Sequence, residues 1–497
     1  MHWDSNGPLW IRTSKYDPHQ GGKIPMDRVL FQFSEIVRIV GGNPYYLPLT
    51  EKGGITSVIS DSRQASKGCL FVPLKGERTD GHYYIQEVFS KGGKVSFVAD
   101  EFWSLNQDSL QTYAVKYRGA YIIVPTPLKA LHKLAEGYLR KKKVHRIGVT
   151  GSNGKTTTKE IVGAILSQNN STFMNRGNLN SEIGLPLSVF EVRDDDRWAV
   201  FEMGMNHPGE IETLVQIVKP EIGIITNIGT AHIGNLGSQE AIAAEKKQLL
   251  SSLPSTGVGF IHEEEAFASF LKEGVQARIK TFGERTTPGY EGAENLGLRG
   301  WMIRLEGRRI HFPLIGRFNL KNALAAIAVC KELGVGNSEI KTGLESVKPL
   351  FGRGQIIEGP VTILLDCYNA NPHSMLEALE FLKEIEWQGR RIGVFGAMKE
   401  LGSYEGEAHR TLGEWILQKK LDGVFLYGEA METVYRLLKS SASSVPVFLE
   451  QKLEALALRL KEFLKEGDIV LIKGSRSLEL ERVVTYIVPD HTEGEHA

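Results

Sequence analysis

The chain has 497 residues, which is too long for one hydrophobic core, because cores stop growing near ~250 to 300 residues. Hydrophobic residues make up 41% and charged residues 24%, and there are 53 glycines; this composition excludes a disordered or fibrous chain and favours a multidomain α/β protein. Lysine plus arginine and aspartate plus glutamate both number 59, so no global attraction to nucleic acid or to a membrane surface is expected.

The cysteines and the first residues indicate where the protein acts. The three cysteines are widely spaced and form no Cys-x-x-Cys pair, which favours a reducing cytoplasm over a disulfide framework. Residues 1–26 are irregular and contain no apolar signal segment, and no stretch approaches the ~18 apolar residues of a membrane span. We therefore expect a cytoplasmic protein without a membrane span, in which 1–26 is an irregular extension and residues 1–25 are dispensable.

The first two predicted domains follow from the order of strands, helices and turns. Short strands and Gly-rich turns from 27 to 125 predict a small α/β domain. A helix predicted from Leu128 to Tyr138 then leads into an apolar strand at 147–149. This region of strands and helices, 126–346, includes a predicted hairpin at 301–312.

The third predicted domain, 347–490, alternates apolar strands with amphipathic helices before a tail at 491–497. The predicted strands are 361–365, 392–395, 424–427 and 469–472, and the predicted helices are 374–385, one from 407, 429–438 and 453–464. Such alternation is typical of a parallel, doubly wound sheet, which binds ligands at the carboxyl ends of its strands. The predicted fold class is α/β with three domains: a small α/β N-terminal domain, a central P-loop ATPase-like parallel sheet and a C-terminal Rossmann-like domain.

A phosphate-binding loop is predicted between the strand at 147–149 and the helix that follows it. Its candidate ATP-binding residues are Gly151, Ser152, Asn153, Gly154, Lys155, Thr156 and Thr157. The glycines allow backbone N–H groups to surround phosphate oxygens, the lysine reaches the terminal phosphates and the first threonine can bind Mg²⁺. Val149 stands where the strict pattern has glycine, so the loop is a shorter variant. Phosphate binding alone would also fit a kinase, a motor or a GTPase switch.

Two further strands end in polar residues at the same predicted sheet edge. Glu202 ends the apolar strand that begins at Trp198, and His232 lies just past a strand that begins at Ile222. Taken singly, the glutamate would more often be a cap or ion-pair residue and the histidine a hydrogen-bonded loop residue. Together with Thr156 they form a plausible Mg²⁺ set, although histidine is an uncommon ligand for Mg²⁺.

These motifs, in this order, resemble those of the Mur ligases of peptidoglycan synthesis, and the resemblance covers nearly the whole chain from about residue 30. The residues that carry it are Thr150–Thr157, Asn178–Asn180, Glu202–Gly204 and Thr226–His232. The resemblance implies a cytoplasmic ATP-dependent ligase with two Mg²⁺ ions, held by Thr156, Glu202, His232 and a carbamylated lysine. Lys246 is preferred to Lys247 for the carbamate, because Ile242 and Leu249 place it on the more apolar stripe of its helix.

The segment Asp366–Ser374 is similar to the branch of the family that adds D-alanyl-D-alanine. It implies UDP-N-acetylmuramoyl-tripeptide and D-alanyl-D-alanine as substrates, an acyl phosphate intermediate, roles in cell-wall synthesis, cell shape and cell division, and a monomer that binds no nucleic acid. Arg176, Ser181 and Cys367 depart from the residues common in that branch, which leaves details of substrate contact open.

The resemblance also assigns binding residues outside the phosphate loop. For ATP they are Asn319 and Asn322 near adenine, Arg353 near phosphate and Asp366 on the ribose. For the sugar nucleotide they are Ser62 and Arg63 at the UDP end and Asn178, Asn180, Asn206 and His207 at the muramoyl-peptide. Lys155, Glu202, His232 and Lys246 are the predicted catalytic residues, and the C-terminal domain is expected to close over them and exclude water.

Four alternatives are weighed against this interpretation. A folylpolyglutamate synthase would share the loop and the domain plan but would lack the Tyr-Asn-Ala-Asn-Pro run at 368–372. A diaminopimelate-adding Mur ligase would show Asp-Asn-Pro-Arg, which this chain lacks. A P-loop switch or motor would hydrolyse ATP without acceptors, and the complete metal set disfavours a non-catalytic UDP-sugar-binding protein.

Overall fold

The structure is a computed structural model that describes residues 28–45, 54–77, 79–441 and 444–488. The chain divides into two compact units, 1–134 and 135–497. The predicted extension at 1–26, the dispensability of residues 1–25 and the tail at 491–497 lie outside the described residues. The predicted domain boundaries at 125 and 346 stay predictions, since this division has one boundary, near residue 134.

The first unit is a small α/β layer structure. Its elements are α1 Phe33–Val40, β1 Asn43–Tyr45, β2 Ser57–Ile59, β3 Cys69–Phe71, α2 Ile85–Ser90, β4 Val95–Ala99, α3 Asp100–Tyr117, β5 Ala120–Val124 and α4 Pro127–Arg140, which contains the unit boundary. The sheet order is β1-β5-β4-β3-β2, in which β1 pairs antiparallel with β5 and the other pairs are parallel. Phe71, Phe89 and Tyr121 lie in its buried core. The predicted α/β character of this region is confirmed.

The second unit begins with the elements that carry the phosphate loop. They are β6 His145–Thr150, α5 Lys155–Leu166, β7 Thr172–Met174, α6 Gly184–Val189, β8 Trp198–Glu202, α7 Glu210–Val218, β9 Ile222–Ile225, α8 Ile233–Leu236, α9 Gln239–Ser251, β10 Val258–His262, α10 Ala268–Lys272, β11 Arg278–Phe282, β12 Tyr290–Asn295, β13 Trp301–Leu305, β14 Arg308–Phe312, α11 Arg317–Glu332 and α12 Asn337–Ser346. The main sheet is parallel throughout, in the order β11-β10-β9-β6-β8-β7. Strands β8 and β9 are buried along their whole length, as apolar strands covered on both faces must be.

The hairpin predicted at 301–312 is confirmed. Strands β13 and β14 pair antiparallel and are joined by Glu306 and Gly307, both of which have positive φ. Two positive φ values in a two-residue loop match the right-handed twist of the flanking strands.

The last part of the second unit is a doubly wound sheet. Its elements are β15 Gln355–Ile357, β16 Thr362–Leu365, α13 Pro372–Glu384, β17 Arg391–Gly396, α14 Glu405–Gln418, β18 Gly423–Tyr427, α15 Glu432–Ser440, β19 Val447–Glu450, α16 Leu453–Phe463, β20 Ile469–Lys473 and α17 Val484–Ile487. The order is β15-β16-β20-β17-β18-β19, parallel except for the pairing of β15 with β16. The predicted strands and helices are confirmed, and β15 and β19 were not predicted.

Strand β20 lies between β16 and β17 in this doubly wound sheet, and the three strands are parallel. Their carboxyl ends therefore lie at one edge, which is where such sheets bind ligands. The fold class predicted from the sequence, α/β with parallel sheets, is confirmed. Among the described helices, none combines the length and apolar character needed to cross a membrane.

Candidate active site

The phosphate loop connects β6 to α5 and is held by the segment that follows β9. The N–H of Ser152 donates to the carbonyl of Asn227 at 3.0 Å, and the N–H of Asn153 donates to the side chain of Asn227 at 2.9 Å. The hydroxyl of Thr226 donates to the Asn153 carbonyl at 2.5 Å. The loop is therefore held by hydrogen bonds to the segment that follows β9.

Both predicted glycines of the loop are required by close approach. A Cβ on Gly151 would lie 1.8 Å from the hydroxyl of Thr226, and a Cβ on Gly154 would lie 2.4 Å from the side-chain oxygen of Asn322. Gly154 also has φ +79° as the N-cap residue of α5. The backbone N–H groups of such a loop can surround a phosphate only if no side chain fills this space.

Lys155 lies at the beginning of α5 and lines the cleft. Its Nζ donates to the Gly151 carbonyl at 2.8 Å and contacts the Ser152 carbonyl at 3.4 Å, so the ammonium lies back over the loop. Burial lowers the pKa of Lys155. The charge of Glu202 acts to raise this pKa, and the charge of Arg353 acts to lower it further. A nearby triphosphate would favour the charged form of the amine.

Glu202 ends β8 with its carboxylate almost fully buried, at 2% exposure. Asn180 donates to Oε1 at 2.7 Å, and the side chain of Asn175 pairs with both the N–H and the carbonyl of Glu202. The second carboxylate oxygen, Oε2, is buried without a hydrogen-bond partner in the described part of the chain. A buried carboxylate oxygen without a partner is costly, which indicates that the carboxylate has a ligand when the protein works.

His232 follows β9 and begins α8 with a left-handed backbone, φ +63°. Its Nδ1 lies 2.7 Å from Oε2 of Glu400, a residue of the loop between β17 and α14. The two atoms are at hydrogen-bond distance but not in hydrogen-bond alignment, so the contact is a close approach of the imidazole to the carboxylate. Because Glu400 faces Nδ1, Nε2 is the ring nitrogen left for a metal ion.

Thr156, Glu202 and His232 line the same cleft and fit a Mg²⁺ site. No three His, Cys, Asp or Glu side chains cluster as a metal site among the residues that the structure describes. Mg²⁺ does not require such a cluster, because it is commonly bound by one or two carboxylates, substrate phosphates and water. The unpartnered oxygen of Glu202 supplies the negative charge that such a site needs.

Lys246 does not line the cleft. It lies in α9 at 1% exposure, and this burial lowers its pKa well below the usual value. The charge of Lys155 also lowers the pKa, whereas the charge of Glu245 raises it. Lys247 lies over the ring of Phe270 at 4.3 Å. The preference for Lys246 as the inward residue therefore agrees with its burial, while its predicted contact with metal does not follow from the geometry.

The C-terminal strands supply the opposite wall of the cleft. Lys473, at 2% exposure, ends β20 and donates to the Asp366 carboxylate at 2.7 Å and to the Asn369 carbonyl at 3.2 Å. The Arg353 guanidinium stacks on the Tyr368 ring at 3.7 Å. Asp366 is thus held by a buried lysine, and Arg353 by an aromatic face.

The phosphate loop also touches the C-terminal part of the unit directly. Asn371, the N-cap residue of α13, donates to the side-chain oxygen of Asn153 at 2.7 Å, and Asn153 donates in return at 3.4 Å. Asn371 and Ser374 form a capping box, which explains why the helix begins at Pro372. The two asparagines link the loop to the wall that carries Asp366.

Most predicted site residues of the second unit are brought together around one cleft of about 600 Å³. Those that line it are Ser152, Asn153, Gly154, Lys155, Thr156, Thr157, Asn178, Asn180, Glu202, Asn206, His232, Asn322, Arg353 and Asp366. Gly151, His207, Lys246 and Asn319 do not line it. Asn319 is buried, donates to the Ile315 carbonyl at 2.8 Å and accepts from Asn322 at 3.3 Å, so it supports Asn322.

Sequence reasoning missed several residues of the cleft. They include His262, Glu265, Phe318, Lys321, Tyr368, His373, Glu377, Glu400 and Lys473. His262 ends β10 and Lys473 ends β20, so the rule that ligands lie at the carboxyl ends of parallel strands could have found both. Burial lowers the pKa of His262, and Lys321 acts in the same direction.

The predicted UDP-binding residues, Ser62 and Arg63, lie in the first unit. Both belong to a short 3-10 turn after β2, and Arg63 forms an ion pair with Asp61 at 2.6 Å. This pairing lowers the pKa of Asp61 to about 2. Binding of UDP by these two residues stays a prediction.

Comparisons with known proteins identify the two main parts of the second unit. Residues 149–330 match the Mur ligase middle domain, and residues 352–476 match the Mur ligase, glutamate ligase domain. The chain is 38% identical over 431 residues to the UDP-N-acetylmuramoyl-tripeptide–D-alanyl-D-alanine ligase of Treponema pallidum, covering 86% of this chain and 93% of the relative.

Two solved structures show the same architecture along nearly the whole chain. MurF from Acinetobacter baumannii superposes with a TM-score of 0.80 at 29% identity, covering 92% of this chain and 98% of that one. MurF ligase from Thermotoga maritima in complex with ADP superposes with a TM-score of 0.73 at 27% identity, covering 87% and 96%. The predicted three-domain plan is therefore confirmed.

The predicted carbamate on Lys246 is not supported and is corrected here. The modification belongs to other branches of the family. Lys246 is buried within α9 and does not line the cleft, so a carbamate there would place a further charge in the protein interior. The prediction that Lys246 points inward is confirmed by its burial, but the residue does not line the cleft that would hold the metal.

Proposed function

Because this chain belongs to the Mur ligase family, we propose that it joins D-alanyl-D-alanine to UDP-N-acetylmuramoyl-tripeptide, with ATP converted to ADP and phosphate. The relatives named for this reaction match along nearly the whole chain. The observation that carries the proposal is the unpartnered, buried carboxylate oxygen of Glu202 in the cleft that also holds the phosphate loop. A carboxylate oxygen in this position supports binding of Mg²⁺ together with the phosphates of a nucleotide.

The first chemical step would join two anions. The terminal carboxylate of the tripeptide attacks the γ-phosphorus of ATP, and ADP leaves, giving an acyl phosphate. Two unit charges ~4 Å apart repel by about 4 kcal/mol at an effective dielectric of ~20. Lys155 and Arg353, which line the cleft from opposite walls, would reduce this repulsion where charge develops.

Thr156, Glu202 and His232 would hold Mg²⁺, which supplies positive charge at the phosphates when it is bound. The prediction of two ions depended on the carbamate as an extra ligand, so this proposal keeps only these three residues. Asn180 would keep the Glu202 carboxylate in place, since its amide already donates to Oε1. The loop hydrogen bonds from Thr226 and Asn227 would hold Thr156 at the beginning of α5.

In the second step the amine of D-alanyl-D-alanine attacks the acyl carbon, phosphate leaves and the amine loses a proton. Water would hydrolyse the acyl phosphate, so the cleft must exclude it. The C-terminal wall would do so by its contacts with the loop, such as the Asn153–Asn371 pair. Asn178, Asn206 and His207 stay the predicted contacts of the muramoyl-peptide.

The remaining parts of the proposal follow from the substrates. Ser62 and Arg63 would hold the UDP end, and the product would supply peptidoglycan synthesis and thereby cell shape and division. A cytoplasmic location belongs to the same proposal, because ATP and UDP-linked sugars are metabolites of that compartment. A monomeric state belongs to the same proposal.

The direct test is a ligation assay read by mass. The protein is incubated with ATP, Mg²⁺, a panel of D-dipeptides and UDP-N-acetylmuramoyl-tripeptide that carries either diaminopimelate or lysine at its third position. We expect a product heavier than the tripeptide by one dipeptide minus water, formed together with ADP and phosphate. Rapid ATP hydrolysis that does not depend on the acceptor would contradict the proposal.

A further inference from the structure

Two loops from different sheets meet beside His232. One follows β9 and contains His232 and α8, and the other joins β17 to α14 and contains Glu400. The N–H of Gly234 donates to the Glu400 carbonyl at 3.0 Å, and the Tyr404 hydroxyl donates to the Gly237 carbonyl at 3.2 Å. We name these two loops the histidine loop, 226–237, and the glutamate loop, 397–404.

The two loops are in backbone contact through a pair of glycines. A Cβ on Gly234 would lie 2.6 Å from the N of Gly402 and 2.7 Å from the carbonyl of Glu400. Gly234 lies inside α8, where any residue could adopt the backbone conformation, so a glycine is required there by the approach of the glutamate loop. A methyl group at Gly234 would separate the loops.

Both His232 and Glu400 hold an unusual backbone conformation. His232 has φ +63° and Glu400 has φ +64°, a region in which non-glycine residues are uncommon. Such a conformation persists where surrounding contacts over-determine it, and it occurs preferentially at functional sites. Here each strained residue faces the other across the contact, with Oε2 of Glu400 2.7 Å from Nδ1 of His232.

We propose that Glu400 is a positioning residue for His232: the glutamate loop orients the imidazole, so the metal site is complete only when the two loops are in contact. Histidines that bind metal nearly always have their other ring nitrogen fixed by a carboxylate, a carbonyl or water. Nδ1 of His232 is buried, and within the described residues Glu400 is the group that faces it. Nε2 is then the ring nitrogen that faces the metal.

The arrangement would couple the position of the C-terminal sheet to metal binding. The histidine loop extends from the sheet of β6 and β9, whereas the glutamate loop extends from the sheet of β17 and β20. Separation of the sheets would remove Glu400 from His232 and leave the histidine without its orienting partner. Phosphoryl transfer would then occur only in the closed cleft, where the acyl phosphate is protected from water.

Two variants test different parts of this inference, which rests on the proposed function only through the use of Mg²⁺ at His232. Glu400→Gln removes the carboxylate and keeps the backbone contact with Gly234. Gly234→Ala separates the loops and keeps both the His232 and the Glu400 side chain. Glu407→Gln and Gly406→Ala are the matched controls, since Glu407 is an exposed carboxylate of α14 and a Cβ on Gly406 meets no atom within 4 Å.

Affinity for Mn²⁺ is measured in the presence of ADP by electron paramagnetic resonance, and the radius of gyration is measured by small-angle X-ray scattering without ligands. We expect both test variants to bind Mn²⁺ about 10- to 100-fold more weakly, the range typical for loss of a residue that orients a metal ligand. Only Gly234→Ala should increase the radius of gyration. Neither control should change affinity or radius.

Unchanged Mn²⁺ affinity in Glu400→Gln would overturn the proposal. An unchanged radius of gyration in Gly234→Ala, together with weaker Mn²⁺ binding, would overturn the coupling to closure. Restoration of affinity by Glu400→Asp would support a carboxylate that orients the ring, because a purely structural glutamate would not require an acid at this place. If the wild type failed to ligate D-alanyl-D-alanine while these shifts were observed, the proposed function would fail and this inference would stand.

Discussion

The two walls of the cleft are built in different ways. The phosphate wall consists of one short loop whose shape is fixed by backbone hydrogen bonds and by two glycines that fit against Thr226 and Asn322. The C-terminal wall is assembled from side chains distant in sequence, since Lys473 and Asp366 are 107 residues apart. A local motif can therefore identify the first wall, whereas the second depends on the completed sheet.

The largest loss of activity is expected for a substitution in the phosphate wall. Lys155→Ala removes the ammonium that lies over the loop, and we expect kcat for ligation to fall by about 10³-fold, the upper range for loss of one group that stabilises developing charge. Lys272→Ala is the matched control, because that lysine is exposed at the end of α10. Ligation kinetics and thermal unfolding are measured for both variants. Substantial activity in Lys155→Ala would show that the loop lysine is not catalytic.

The pair of buried Lys473 and partly buried Asp366 in the C-terminal wall should contribute to stability. Asp366→Asn leaves the buried ammonium of Lys473 without its counter-charge, and we expect the free energy of unfolding to fall by about 3 kcal/mol. Glu384→Gln is the control, since its partner Arg317 lies 3.8 Å away on the surface, where such pairs contribute about 0 to 1 kcal/mol. Urea unfolding measures both. Equal losses in the two variants would mean that burial does not distinguish the pairs.

A comparison of alanine substitutions at Gly154 and Gly209 separates the effect of backbone strain from that of a steric clash. In Gly154→Ala the new side chain would have an unfavourable positive φ and would collide with the buried Asn322 side chain, so the loop must shift. We expect ADP to bind about 10- to 100-fold more weakly, as for loss of one or two hydrogen bonds to a charged group. Gly209 has nearly the same conformation, φ +86°, with no atom within 4 Å of a Cβ. Gly209→Ala should therefore lower stability without changing ADP affinity. Calorimetric titration with ADP decides between the two outcomes.

Much of the fold could be predicted because the strands are buried runs of apolar residues and the helices are amphipathic. Strands β15 and β19 were missed because each is short and lies at an edge of its sheet, where the apolar signal is weak. The phosphate loop could be predicted from residues alone, because its chemistry is local. The roles of Glu202 and His232 needed the family resemblance, since a strand end with one acid or one histidine is common.

The contacts that hold the site could not be predicted, because they join distant segments. Nothing in the sequence near Gly234 indicates that its neighbour is Gly402, or that Asn180 pairs with Glu202. The error on Lys246 has a similar physical reason. The apolar stripe of α9 correctly indicated an inward side chain, but an inward side chain can face the protein interior as well as a cleft.

The smallest effect is expected where the C-terminal wall holds Arg353. Tyr368→Leu removes the ring under the guanidinium, and a partly exposed cation–π contact contributes about 0.5 to 1 kcal/mol, so KM for ATP should rise about two- to fivefold. Tyr368→Phe keeps the ring face and removes only the hydroxyl, so its KM should stay near that of the wild type. Steady-state kinetics at saturating acceptor measure both. If phenylalanine raised KM as much as leucine, the hydroxyl would be the important group, and the wall would hold Arg353 by hydrogen bonding instead of by stacking.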